Sequence, residues 1–346
     1  MAIPELSERE RRVLEAVIQS YVETAQPAGS NAIARRFGLG VSPATIRNTM
    51  SDLEEKGLLF HPHTSAGRVP TDVAYRIYVD SLLPSSPIPL REQNELSAQI
   101  VNGGSAVEAI LRRAAQSLGV ITQELGVALG PRLDDSILQR VDLVRLSAER
   151  LLVALTLNGG AVRTIFVEAR GEVPDIAIAE VTRLLNERIA GLTLRQIRTS
   201  VGELLRDTGP TRQAAELLNV FIEEGEQLFD SALQGEETVL LGQPSLLAEQ
   251  PEFATVDNMR KLVALTETRE HLADLLRKRS TSPGITISIG NEHLDPKLET
   301  FTIVTAQYRK GAVMGVIGVI GPTRMPYDKV ISLVTHTSRL ITDLLE

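Results

Sequence analysis

The chain has 346 residues, 43% of them hydrophobic and 23% charged, with a formal net charge of -8 at pH 7. This balance supports a packed core rather than disorder, and the length exceeds what one core usually fills, so two or three domains are expected. The net acidity excludes a protein held to nucleic acid by bulk positive charge, and the absence of cysteine removes disulfides, thiolate nucleophiles, zinc-cysteine sites and iron-sulfur clusters.

The segment Met1 to Arg12 is charged and carries no apolar run of the signal-peptide kind. No stretch reaches the roughly 18 uncharged apolar residues that a spanning helix needs, so a soluble, cytoplasmic protein with no membrane partner is expected. Ser7 and Glu10 have the spacing of a capping box, and Val13, Leu14, Val17, Ile18, Tyr21 and Val22 recur behind it at helical intervals. Gly29-Ser30 opens a short second helix, Asn31 to Phe37, and the turn Gly38-Leu39-Gly40-Val41 leads to Ser42-Pro43, a cap with proline at the first helical position. The third helix ends at Gly57. Helix, short helix, glycine-containing turn and helix form a helix-turn-helix pattern.

On the third helix Ile46, Met50 and Leu53 face the core, while Ala44, Arg47, Asn48 and Ser51 project from the opposite side. Arginine pairs bidentately with guanine and asparagine with adenine, and small side chains let a helix approach base edges. Alone, such residues read as a solvated helix face. Their context is the strand-like run Leu58-Leu59-Phe60-His61, a tight loop and a returning strand at Gly67-Arg68-Val69, which together form a wing. Ser42 and Thr45 at the helix start, Thr64 and Ser65 in the loop, and Arg68 complete the candidate DNA-binding set, with Arg68 expected to reach phosphate or the minor groove. Residues 30 to 70 hold Arg35, Arg36, Arg47, Lys56 and Arg68 against Asp52, Glu54 and Glu55, so positive charge gathers in this segment of an acidic chain. His61-x-His63 lacks a nearby third ligand, and no metal is expected there.

Pro84-Ser85-Ser86-Pro87-Ile88-Pro89 reads as an interdomain linker. Helices are expected over Arg91 to Ile100 and Ser105 to Leu118, the second with a Ser105/Glu108 capping box, followed by an antiparallel meander of strands at 137–145, 151–157 and 161–167. Residues 175–230 turn helical, and Val239 to Leu241 precedes a helix from Val256 to about Arg279. Strands follow at 284–289, 300–308 and 312–320, then a helix from Tyr327 to Leu345. Strands, a helical block and strands again suggest one sheet domain with an insertion. Within the block, Leu184, Leu185, Leu217, Leu218, Phe221 and Ile222 read singly as core and together as surface enough for a dimer contact.

Catalytic chemistry finds little support. Gly311, Gly315, Gly318 and Gly321 match neither the dinucleotide nor the P-loop pattern and read as close backbone approach in a strand. His271, His293 and His336 are scattered, so no enzyme and no cofactor are expected. Arg324-Met325-Pro326-Tyr327 starts the last helix, where capping and packing are favoured over anion binding.

The runs Gly67 to Asp80, Ser42 to Asn48 with Met50 to Glu54, Leu241 to Pro244 with Gln250 to Phe253, and Gly315 to Tyr327 closely resemble the HrcA family of bacterial heat-inducible transcription repressors. The likeness spans nearly the whole chain in order. One departure is Gly290-Asn291-Glu292-His293, where the family pattern ends in asparagine. The resemblance implies an α+β multidomain fold: a winged helix-turn-helix at 1–89, a GAF-like α/β domain at 90–170 and 271–346, and a mainly helical dimerisation domain inserted at 171–270. It further implies a homodimer that represses chaperone operons at the CIRCE inverted repeat, is released on heat stress, and depends on the GroE chaperonin. The alternative is a winged-helix regulator with a small effector in the GAF-like domain, although the 3% aromatic content argues against a large aromatic pocket.

Overall fold

The computed structural model describes residues 4–63, 67–83, 89–101, 107–130, 136–158, 162–169, 171–234, 239–280, 283–310 and 313–345. The wing residues Thr64 and Ser65, the linker residues 84–88, the Ser105 cap, the Gly159-Gly160 turn and Gly311 lie outside these.

Helix α1 (Glu8–Thr24) starts at the expected capping box, with Ser7 and Glu10 bonded in both directions, and buries Val13, Leu14, Val17 and Ile18. α2 (Ser30–Phe37) ends at Gly38 in the left-handed region, and α3 (Pro43–Glu55) is capped by Ser42, whose hydroxyl accepts from the Thr45 N–H. The strands of the wing are short, β1 (Leu59–Phe60) and β2 (Val69–Pro70), paired antiparallel. α4 (Asp72–Ile77) follows under a Thr71 cap and continues as a π turn to Leu82. α5 (Leu90–Val101) and α6 (Val107–Thr122) then lead to strand β3 (Leu125–Leu129).

The meander forms as β4 (Leu138–Arg145), β5 (Arg150–Leu157) and β6 (Val162–Glu168), each neighbour antiparallel. Alternation in β5 puts Leu151, Val153, Leu155 and Leu157 inward, and that face packs with α7 (Asp175–Ile189), α8 (Leu194–Arg206) and α9 (Arg212–Glu223) into one core that also takes Phe229 from α10 (Gly225–Gln234). Leu184, Leu185, Leu217, Leu218 and Phe221 are all buried there and Ile222 partly so. Because this core consumes most of the stripe that the sequence offers for a dimer contact, Leu184, Leu185, Leu217, Leu218 and Phe221 present no surface to a second copy.

The chain continues through β7 (Val239–Leu241), α11 (Ser245–Ala248), α12 (Val256–Glu267), α13 (Arg269–Ser280), β8 (Ile285–Ile289), β9 (Phe301–Lys310), β10 (Val313–Pro322) and α14 (Tyr327–Leu345). The single helix expected over 256–279 is broken at Thr268, which leaves helical geometry at φ -90° and ψ 70°. β3 and β7 to β10 make a five-stranded sheet in the order β7-β3-β10-β9-β8, separate from the meander. Leu125, Val127, Val316, Ile320, Phe301 and Ile303 contribute its face to a core with Leu262, Leu272 and Leu276 of α12 and α13. Within the glycine run of β10, a Cβ on Gly321 would fall 2.1 Å from the Glu124 carboxylate, so close packing accounts for that glycine.

Two compact units result. One comprises Met1–Leu129, Val239–Tyr308 and Val316–Leu344; the other is essentially Gly130–Thr238, with Arg309–Gly315 and Leu345–Glu346 assigned to it. These limits differ from the 171–270 expected from sequence, since the meander shares its core with the helical block and β7, α11 and α12 build the first unit. Among the described residues no helix is long and apolar enough to cross a membrane.

Candidate nucleic-acid interface

α3 is oriented by its apolar side: Ile46 and Leu53 are fully buried and Met50 nearly so, which turns Ala44, Arg47 and Asn48 outward. All three are exposed. Neither the Arg47 nor the Asn48 side chain has an ion-pair or hydrogen-bond partner among the described residues, so both head groups are available to a ligand. At the helix start the Ser42 hydroxyl accepts the Thr45 N–H at 3.1 Å and lies 2.9 Å from the Thr45 hydroxyl. These two residues therefore shape the first turn: Pro43 has no N–H, and the Ile46 N–H bonds to the Ser42 carbonyl at 3.0 Å, so the Ala44 N–H is the amide of that turn left for a ligand. The Ser51 hydroxyl donates to the Arg47 carbonyl at 3.2 Å and is half-buried.

Arg68 lies elsewhere than its sequence suggests. Its backbone exchanges two hydrogen bonds with Ala28, at 2.8 and 2.9 Å, tying the wing to the turn before α2. Its guanidinium, on a side chain only 12% exposed, meets Glu54 of α3 at 2.8 Å and lies 3.5 Å from the Ser51 hydroxyl. The Nε is buried with no partner among the described residues. His61 Nδ1 takes the other Glu54 oxygen at 2.7 Å. Glu54 thus ties both arms of the wing, at the residue after β1 and the residue before β2, to α3. In the sequence Glu54 stands only as a neighbouring negative charge, because nothing local marks a pair fourteen residues apart.

Further ion pairs brace the winged helix. Lys56 at the end of α3 lies 2.7 Å from Glu10 of α1, and its ammonium, with the Ser7 N–H, pulls the Glu10 carboxyl down to about 2. Arg36 pairs with Glu23 and Arg35 donates to the Asn31 carbonyl, so both basic residues at the end of α2 are engaged within the winged helix.

No group of three or more metal-ligating side chains is gathered among the described residues. His293 faces the Phe301 carbonyl and His336 the Ser97 hydroxyl. Arg324 is paired with Glu252 through both Nε and Nη2, so its role is packing and anchorage.

A family model described as the winged helix-turn-helix DNA-binding domain of the transcription repressor HrcA matches residues 5–81, and one described as the HrcA protein C-terminal domain matches residues 108–331. The heat-inducible transcription repressor HrcA of Chlorobium phaeobacteroides (strain BS1) is 42% identical over 346 residues, covering 97% of each chain. The protein of the same name from Geobacter sulfurreducens is 38% identical and covers 99% of each chain. A solved structure described as a hypothetical protein at 2.2 Å resolution shares the fold, with a TM-score of 0.64 at 23% identity over 99% of each chain.

Proposed function

The chain belongs to the HrcA family of heat-inducible transcription repressors, and from that premise we propose that it silences chaperone operons by binding a CIRCE-type inverted repeat as a homodimer. The family is one of DNA-binding repressors and not of enzymes. The observation that carries the reading is the exposed Arg47-Asn48 pair on α3, whose side chains have no partner among the described residues.

In this reading Arg47 and Asn48 read bases in the major groove, and Ala44 and Ser51 allow the close approach. Ser42, Thr45 and the Ala44 N–H meet phosphate, as do Thr64 and Ser65 at the wing tip. Arg68 serves by holding the wing against α3 through Glu54. Two copies related by a two-fold axis present two recognition helices to half-sites about one or more helical turns apart. The GAF-like assignment belongs to the five-stranded unit, and the dimer contact to the Gly130–Thr238 unit.

Support for that contact comes from the outer face of the meander. Val144 pairs with Leu152 and Leu152 with Phe166, so the three side chains form an apolar row across all strands. Val144 is 49% exposed and Phe166 57%, and Val162, further along β6 on the same face, is 55% exposed. An uncovered row of this kind on a sheet is the surface a second copy would bury.

Dependence on the GroE chaperonin and release on heat stress in the cytoplasm complete the proposal. Transcription in a purified system tests it. A promoter carrying the inverted repeat should be silenced by the protein, more strongly with chaperonin and less once an unfolded competitor occupies the chaperonin. Equal transcription with and without the repeat would count against the proposal.

A further inference from the structure

α4, the helix leaving the wing, carries two oppositely charged side chains one turn apart, Asp72 and Arg76, and both grip one loop of the five-stranded unit, residues 290–292. The Asp72 carboxylate accepts from the Asn291 N–H at 2.9 Å and from its side-chain amide at 2.8 Å. Arg76 holds Glu292 as a two-pronged fork, Nε to Oε1 at 2.7 Å and Nη2 to Oε2 at 2.6 Å, and Nη2 also donates to the Ile287 carbonyl at 2.9 Å. Glu292 is itself fixed, since it accepts the Ile289 N–H at 2.8 Å.

The loop backbone is shaped to receive the acid. Gly290 has φ +50°, and a Cβ there would stand 2.2 Å from the Asp72 carboxylate. A side chain at that position would be strained and would also wedge the contact open. A second attachment holds the last turn of α1, where Arg324 donates to the Val22 carbonyl at 2.7 Å while paired with Glu252.

These contacts are directional and partly open to water: the Arg76 side chain is 24% exposed and that of Glu292 35%. Forked, charge-assisted bonds in such a setting add little net stability and much geometric definition. They also begin next to Thr71, whose N–H donates to the Leu58 carbonyl at 3.0 Å, while the Leu58 N–H donates to Leu53 of α3 at 2.9 Å, so the helix that carries them is tied by backbone bonds to the end of α3.

We propose that Asp72 and Arg76 together with the 290–292 loop form a joint that fixes the angle at which each recognition helix is presented, and so sets the half-site spacing the dimer accepts. Asp72, Arg76 and Glu292 are positioning residues; none of them touches DNA. The inference rests on the reading of the chain as a dimeric operator-binding repressor. One base pair added between half-sites turns them by about 34° and moves them about 3.4 Å, which a rigid joint does not accommodate.

The test uses fluorescence anisotropy with the full chain, on duplexes carrying the intact inverted repeat, the repeat with its spacer changed by one or two base pairs, a single half-site, and a scrambled sequence. The parent should show a sharp spacing optimum, losing about tenfold for each base pair of change. Glu292→Gln, Arg76→Gln and Gly290→Ala attack the joint from opposite sides, which guards against one variant failing to fold. Each should bind the single half-site as the parent does and show a profile flattened to within about threefold across the spacers. Variants as sharp as the parent would overturn the joint and leave the repressor reading standing. Loss of half-site binding in folded variants would also overturn it, by placing these residues in the winged helix's own stability. A parent that does not distinguish the repeat from scrambled DNA would overturn the repressor reading and this inference with it.

Discussion

The guanidinium of Arg68 in the wing sits 2.8 Å from the Glu54 carboxylate on α3, and His61, directly after β1, shares the same carboxylate at 2.7 Å. The β pairing of the wing spans only two residues per strand, too few to define its orientation alone. Glu54 supplies the missing constraint.

Replacing Arg68 by alanine should therefore lower stability by roughly 1 kcal/mol, the upper end for a pair whose acid is partly open to water. Affinity should fall equally on operator and scrambled duplexes, with the dependence of log affinity on log salt unchanged. A direct phosphate contact would behave otherwise, reducing that salt slope by about one and leaving the melting temperature intact. A thermal melt alongside a salt series separates the two.

Two carboxyls of the first unit pull stability in opposite directions with pH. Glu10 is drawn down to about 2 by the Lys56 ammonium and the Ser7 N–H, so its contribution is full above its ordinary 4.5 and is lost as pH falls toward 2. Burial pushes Glu124 well above its ordinary 4.5, and only in part do the Gln250 amide and Arg324 oppose this. Its neutral form suits the fold, so its contribution is full below 4.5 and drains away as pH rises toward the shifted value. Glu124→Gln, which keeps an acceptor for Gln250 without a charge, should gain melting temperature over the parent, and the gain should grow from pH 5 to pH 8. A gain that is the same at both values would contradict the assignment. Glu10→Gln should show the mirror image, a deficit that shrinks as the pH is lowered toward 3.

If the proposed dimer forms through the meander, Phe166→Glu should be monomeric in sedimentation equilibrium where the parent is dimeric, with little change in melting temperature, because Phe166 is exposed in the single chain. Leu218→Ala, by contrast, should destabilise the unit by about 2 to 5 kcal/mol through loss of core packing. A Phe166→Glu protein of unchanged dimer mass would move the contact away from the meander. Removing residues 171–270 would not test it, since the cut takes β7 and α12 from the other unit.

Helices α1 and α3 were legible because their signals are local: Ser7 with Glu10, Ser42 with Pro43, and apolar residues at helical spacing fix start, end and buried side. The outward face with Arg47 and Asn48 follows from that same periodicity. The strands were legible one by one, but alternation says only that one face of the meander is buried and not which sheet it joins, so the boundary at 171 was drawn through a single core. β7 is three residues long and gives no periodic signal, and its pairing with β3 reaches across the whole second unit. The same limit applied to the joint. The Thr71 to Arg76 segment and the Gly290 to His293 loop each stood out in the sequence, yet the bond between Arg76 and Glu292 spans 216 positions and only the folded chain brings them together.

The most direct test of the account is anisotropy binding of the parent and Arg47→Ala to the inverted repeat and to a scrambled duplex across a salt series. The parent should prefer the repeat by on the order of a thousandfold or more. Arg47→Ala should lose about 1 to 3 kcal/mol on the repeat and little on scrambled DNA. A parent that binds both duplexes alike, or an Arg47→Ala protein that matches the parent on both, would contradict the assignment of α3 as the helix that reads the operator.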